Sequence, residues 1–260
     1  MQDLELFRIL RTNNNLKMTI MSKLKNVLFA GALLSALFAL QGCNKENNNN
    51  SLTPAVVTII PTENEGFVMQ LTDDITLFPT NLKKAPYGQK EVRAQVLYEV
   101  VSGSYKSGKA DVNVSYIDSI RTKLPVNDAG SKNDLLYGND PIEIVRDWRT
   151  VAEDGYLTLR LRTYWGRTSR PHIINLVVNA ENPYELELRH NAQGDVNGQM
   201  ADALIAFNLN KLLEGKPKTK LKLSWQSYTG KKSLEFDLAP RGELPLSDQP
   251  ETLSSLCPVE

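Results

Sequence analysis

From Val56 onward the chain is written in short stretches that alternate apolar and polar residues, separated by turn-forming clusters. Side chains on a strand point to opposite faces with a period of two, so such stretches specify half-buried β-strands. Phe67, Met69 and Leu71 alternate with Val68 and Gln70, and Ile75 and Leu77 follow Asp73-Asp74. Val92, Ala94, Val96, Tyr98 and Val100 share one face, with Arg93, Gln95 and Glu99 mostly opposite. Ser102-Gly103 to Gly108-Lys109 is a turn-rich hairpin loop, after which Val112, Val114 and Tyr116 begin another strand. Five short strands within residues 56–130 fit a small barrel of the OB type. A second set spans residues 141–240. Leu157, Leu159 and Leu161 alternate with polar neighbours, and the same pattern recurs at Tyr184 to Leu188, Ala203 to Leu209, Leu221 to Trp225 and Leu234 to Leu238. No stretch has the length of a crossover helix, which predicts an antiparallel sandwich. The expected fold class is therefore all-β, a small OB-like barrel followed by an immunoglobulin-like antiparallel β-sandwich. Residues 131–140, rich in Gly, Ser, Asn and Asp, read as a linker. Only Lys211 to Glu214 suggests a helical turn, and residues 241–260 read as an extended tail.

A different signal precedes the strands. Lys23 and Lys25 flank an apolar run, Val27 to Leu40, which ends in Leu40-Gln41-Gly42-Cys43. A spanning helix needs roughly 20 apolar residues, so this run matches the central region of a signal peptide instead. Gly42 is small enough for a signal peptidase, with Leu40, Gln41 and Gly42 forming its recognition sequence and Cys43 the residue to be acylated. This resembles a bacterial lipobox, although Gln41 departs from the small or aliphatic residue usual there. The alternative is a buried amphipathic helix with a chance cysteine; the all-round hydrophobicity, the basic flank and the position argue against it. One acyl chain binds a membrane marginally whereas two or more hold stably, so acylated Cys43 would be a lasting tether. On this reading residues 1–20 are a start-site extension, with Met18 and Met21 both plausible starts, and residues 21–42 are the leader. Residues 43–55, with the run Asn44 to Ser51, form a flexible tether too polar to repay ordering. The expected location is the cell envelope, on the outer membrane.

Loss of residues 1–43 leaves 25 basic and 28 acidic residues, a net charge near −3. Such a surface has no global attraction for nucleic acid, and none is expected as a partner. Cys257 is then the one other cysteine, with no intramolecular partner.

Few constellations in the chain carry residue types suited to chemistry. The two imidazoles, His172 and His190, fall at a strand start and a strand end, and no Gly-x-Ser-x-Gly elbow accompanies them. Two separate histidines without paired cysteines make no convincing zinc site. Asp195-Val196-Asn197-Gly198 offers oxygen ligands but lacks the bidentate glutamate of a calcium loop, and a hairpin turn is the better reading. Asp73 and Asp74 point to opposite faces and make poor catalytic partners. No metal, cofactor or catalytic residue is thus expected. The strongest surface candidate is Arg160, Arg162, Tyr164, Trp165, Arg167 and Arg170, because aromatics interleaved with cations can stack sugars or bases. Trp165 equally fits a sandwich core, and Arg160 and Arg162 a solvated face.

The lipobox combines with Phe67-Val68-Met69-Gln70-Leu71-Thr72-Asp73-Asp74, Gly155-Tyr156-Leu157-Thr158-Leu159, His172-Ile173-Ile174-Asn175-Leu176-Val177 and Phe207-Asn208-Leu209. Together these segments resemble the NigD-like lipoproteins of Bacteroides-type bacteria, over roughly Val56 to Leu238. The resemblance implies an N-terminal OB-like domain, a C-terminal β-sandwich and an envelope location. The family is named for a gene associated with a bacteriocin cluster; its motifs are strand patterns, so no catalytic residue carries over. The function expected is a non-catalytic, lipid-anchored protein that binds a protein or glycan partner. Bacteriocin self-protection and an envelope carbohydrate-active enzyme are the alternatives.

Overall fold

The structure, a computed structural model, describes residues 52–63, 65–166 and 170–242. The leader, the lipidation sequence Leu40, Gln41, Gly42 and Cys43, Arg167 and Cys257 lie outside the described residues. The described residues fall within one compact unit.

Strands β1 (Thr53–Pro61), β2 (Phe67–Thr72), β3 (Ile75–Pro79), β4 (Val92–Ser104) and β5 (Lys109–Ser119) close into a barrel in the order β1-β2-β3-β5-β4. Four of the five pairings are antiparallel and β3 runs parallel to β5. Closure removes every free strand edge. The expected alternation is seen in the core: Val57, Ile59, Met69, Leu77, Ala94, Val96, Tyr98 and Val112 fill the interior. Strand β4 is long enough to pair with β1 through its first half and with β5 along most of its length, and its register shifts at Leu97/Tyr98 and Val100/Ser102. Such bulges bend a strand, which a small barrel requires.

The rest of the chain builds two sheets. β6 (Arg121–Lys123), β8 (Glu143–Val145), β9 (Val151–Glu153), β10 (Tyr156–Trp165) and β13 (Gln199–Asn208) form one, ordered β6-β13-β10-β8 with β9 also on β10. β7 (Val126–Asn127), β11 (Ile173–Val178), β12 (Glu185–Asn191), β14 (Thr219–Ser227) and β15 (Gly230–Leu238) form the other, ordered β15-β14-β12-β11-β7. Leu157, Leu159 and Leu161 from one sheet meet Leu176, Leu186, Leu188, Leu221, Leu223 and Trp225 from the other. Burying each such side chain is worth about 1.5–3 kcal/mol. Most pairings are antiparallel, but β6 on β13, β7 on β11 and β12 on β14 are parallel.

The segment expected as a linker, residues 131–140, is instead packed structure. After β7 comes a 3-10 turn (Gly130–Lys132) and a short helix, α1 (Asn133–Tyr137). Asn133 is buried, accepting from Ala129 N at 2.8 Å and donating to Asp128 Oδ1 at 2.7 Å. Gly138 ends the helix at φ 77° and lies so close to β12 that an added Cβ would come 2.5 Å from His190 O. Polar turn residues gave the linker reading; what they do is satisfy one another against the sheet. At Lys211 to Glu214, where a helical turn is expected, the chain makes one helix-type bond, Leu213 N to Leu209 O at 3.0 Å, and does not continue into a helix.

The barrel sits on the outer face of the β10–β13 sheet. β1 is buried on both sides, and its sequence Ala55-Val56-Val57-Thr58-Ile59-Ile60 is correspondingly almost unbroken in apolar character. Val56 packs with Ile120, Tyr156 and Ala206 across the two modules. Arg93, fully buried, donates from Nη1 to Thr58 Oγ1 at 2.9 Å and from Nε to Thr158 Oγ1 at 3.1 Å.

Candidate functional site

The far end of β10 carries the residues singled out above, and the pleat sorts them onto two faces. Arg160, Arg162 and Tyr164 lie on the outer face; Leu161, Thr163 and Trp165 continue the core-facing row. They are therefore not one cationic-aromatic patch. Asp202, opposite Arg162 on β13, takes up both outer guanidinium groups. Arg162 Nε donates to its Oδ1 at 2.6 Å, Arg160 donates to its Oδ2, and Arg160 Nη1 also reaches Asp147 Oδ2 at 2.5 Å. Hydrogen bonds from Arg162, against an opposing effect of burial, hold the Asp202 carboxyl down to about 2. The arginines are neutralised cross-strand partners rather than an open anion site. Arg170 is exposed on the approach to β11.

The aromatics end elsewhere. Tyr164 and Tyr228, which lies in the turn between β14 and β15, meet edge to face with ring centroids 5.4 Å apart. The Tyr228 hydroxyl accepts from Tyr164 N at 3.2 Å and lies 2.9 Å from Thr163 Oγ1. Both rings are 38% exposed, and Trp165 is 45% exposed although it stands on the core-facing row. Trp165 stands at the mouth of the space between the two sheets, beside His172 and Ile173. Ile173, Met200 and Val196 are also exposed at strand ends and turns of the sandwich. Rigid, half-exposed aromatic rings are the residue types enriched where proteins bind partners.

The two histidines, far apart in sequence, touch. His172 Nδ1 lies 2.9 Å from His190 Nε2, and the rings are tilted by 32° with centroids 5.0 Å apart. His190 Nδ1 is 3.2 Å from Pro141 O, which can only accept, so His190 donates there and accepts from His172. His172 Nε2 then faces the buried Asp195 Oδ2 at 3.5 Å. Burial, with His172 nearby, depresses the His190 imidazole below its ordinary value, against the hydrogen bond to Pro141. Three of the four ring nitrogens are hydrogen-bonded within the protein, and buried His172 Nε2 has only the 3.5 Å approach of Asp195. The strand register brings them together: Ile174 opposes His190 in the β11–β12 hairpin, which places His172 diagonally beside it on the same face. Asp195 accepts from Gly166 N at 2.8 Å and Asp195 N donates to Ala192 O at 2.9 Å, so the turn here is Ala192–Asp195, and Asp195–Gly198, expected as a hairpin turn, is the irregular connection into β13. Among the described residues no group of three or more His, Cys, Asp or Glu is placed to hold a metal ion.

Comparison with known proteins now bears on this architecture. Residues 56–120 match the NigD-like N-terminal OB domain, and residues 124–238 match the NigD-like C-terminal beta sandwich domain. The chain belongs to the NigD-like family. Among solved structures, a protein of Parabacteroides distasonis described as toxin-related is 30% identical, with 73% of this chain and 94% of that one covered and a TM-score of 0.61. A protein of unknown function from Bacteroides vulgatus shares the fold at 17% identity and a TM-score of 0.55, covering 77% of this chain and 95% of the other. So does a NigD-like immunity protein from Bacteroides caccae, at 19% identity and a TM-score of 0.54, with 73% and 98% covered. No curated protein matches.

In this NigD-like chain one further cluster escaped the sequence reading. At the opposite end of β10, Arg241 joins the two modules. Its Nε donates to Asp154 Oδ1 at 2.7 Å and its Nη2 to Asp154 Oδ2 at 2.6 Å, while Nη1 donates to Glu91 Oε2 at 2.5 Å. Tyr156 donates its hydroxyl proton to Glu91 and accepts from Asn208 Nδ2 at 3.0 Å. Burial opposes ionisation of Glu91, but Arg241 and Tyr156 outweigh it and hold its carboxyl below the usual range. Burial pulls the Arg93 guanidinium down to about 10, partly countered by Asp154, and the group lies 5.6 Å over the Tyr156 ring. Arg241, Asp154 and Glu91 are matched charge to charge, as a structural clasp requires, whereas Arg93 is held by the Thr58 and Thr158 hydroxyls and its buried Nη2 has no hydrogen-bond partner.

Proposed function

We propose that this NigD-like protein is a non-catalytic, lipid-anchored cell-envelope protein that binds a protein or glycan partner through the aromatic end of its sandwich. The observation that carries the reading is the pair Tyr164 and Tyr228, fixed edge to face and held by hydrogen bonds yet open to solvent. Preorganised aromatic rings lose little conformational entropy on binding, which favours either a protein hot spot or a sugar face. The lipobox ending at Cys43 supports anchoring, with the outer membrane as the destination. The test has two parts. A photo-crosslinking side chain at exposed Met200, opposite Tyr164 on β13, in living cells, or a glycan array probed with residues 50–260, should report binding that Tyr164→Ala/Tyr228→Ala removes. Binding unaffected by that double variant would refute the site. Palmitate labelling should mark the protein and be lost in Cys43→Ala; an unlabelled wild type would refute the anchor.

A second reading is favoured by the relatives, one described as toxin-related and one as an immunity protein. On that reading the partner is a bacteriocin and the protein protects its producer. Deleting the gene should then raise killing by the cognate toxin, and unchanged sensitivity would count against it.

A further inference from the structure

The two sheets of the sandwich do not close along one side. Among the described residues β13 is paired on its outer edge only from Ile205 to Phe207, by β6, and β11 only at Val177 and Val178, by β7. Between Gln199 and Leu204 on one sheet and Ile173 and Ile174 on the other, the edges stand apart. The core-facing positions of β13 there are Ala201 and Ala203, opposite Thr163 and Leu161. Alanine is too short to fill an interlayer space about 10 Å deep, and Ala203 is left exposed on the inner face. The result is a cleft of about 420 Å3, floored by Ile142, Leu161 and Ile205. That volume falls within the roughly 300–1,000 Å3 of small-molecule sites, which are likewise apolar with a few polar groups.

Two cations stand at this mouth. Arg121 and Lys123 stand on β6 at the cleft's rim. The Lys123 ammonium donates to Ile174 O and Asn175 Oδ1, both at 2.6 Å and both neutral acceptors. Arg121 has no ion-pair partner among the described residues, and Arg121 and Lys123 repel each other. The one carboxylate bordering the cleft, Asp202, is turned to the outer face and bound by Arg160 and Arg162. An apolar floor with uncompensated cations at the rim is complementary to a molecule that is apolar at one end and anionic at the other.

We infer that this inter-sheet cleft binds a small amphipathic anion, with its apolar body laid over Leu161, Ile205 and Ala203 and its carboxylate at Arg121 and Lys123. The cleft site does not depend on the partner surface proposed above, since it uses neither Tyr164 nor Tyr228. Its test is calorimetric titration of residues 50–260 with decanoate, 1-decanol and decyltrimethylammonium. Decanoate should bind at least tenfold more tightly than decanol, and the cation most weakly. Ala203→Phe, which fills the cleft from an exposed position, should weaken decanoate at least tenfold. Arg121→Gln, on the surface and neutral to folding, should weaken decanoate severalfold and leave decanol unchanged. Failure of decanoate to bind up to its solubility, equal binding of the three probes, or indifference to Arg121→Gln would each overturn the inference. Should Ala203→Phe fail to fold, the Arg121 comparison decides by itself.

Discussion

Arg241 offers a quantitative test of how the two modules are held together. Its guanidinium makes two hydrogen bonds to Asp154, whose side chain is 2% exposed, and two to Glu91, whose side chain is 33% exposed. Replacing it with methionine keeps most of the volume but strands the Asp154 carboxylate in the interior. Breaking a buried pair from one side costs about 3–5 kcal/mol because the remaining charge has no compensation. The Glu91 half contributes little to that figure, since water reaches it. For a unit of this size each kcal/mol moves the melting temperature by about 2–4 °C, so Arg241→Met should lower it by about 10 °C. Asp154→Asn introduced into the same variant removes the stranded charge, and the double variant should recover at least half of the loss. Calorimetric melts of residues 50–260 measure both. A single variant within 2 °C of wild type, or a double variant no better than the single, would refute the claim that charge compensation at Asp154 clasps the modules.

Three further outcomes are expected. His190 binds its proton less readily folded than unfolded, so the unfolded chain takes up more protons and stability falls as pH drops below the ordinary value of 6.5 toward the folded one; urea melts at pH 7.5 and 5.5 should show this loss, and His190→Gln should flatten it. Asp202 behaves in the carboxylate sense: its folded value near 2 lies below the ordinary 3.8, so its contribution is present above 3.8 and disappears as pH falls toward 2. Asp202→Asn should cost about 1 kcal/mol or less at pH 7, because the pairs are partly exposed, and should reduce acid sensitivity in that window. Gly138→Ala meets both a left-handed backbone and the β12 backbone at 2.5 Å, and should destabilise by at least about 2 kcal/mol in a denaturant melt, whereas Gly194→Ala, also at positive φ but with open space around its Cβ, should cost less.

The chain's own periodicity was enough to specify strands, their inward rows and the division into a barrel and a sandwich. Met69, Leu77, Val96, Leu159 and Leu223 are buried as the alternation requires, because the direction of a side chain on a strand is set locally. Periodicity does not say which face of a second module will cover the outward row. Arg93 and Thr158 stand on the polar rows of their strands and are fully buried, since the barrel meets the sandwich there. Nor does it say which charge meets which: Asp202 silences Arg160 and Arg162 from another strand, and Glu91 meets Arg241 from 150 residues away. The linker reading failed for the same reason, because Asn133 and Gly138 are polar or flexible in composition but are committed by contacts with β12 and the preceding turn. Sequence alone determined where strands form and which residues face inward, because both follow from bonds and neighbours a few residues apart. The docking of barrel on sandwich, the histidine pair and the open seam between the sheets were decided by tertiary structure, because each depends on segments that meet only after the chain has closed upon itself.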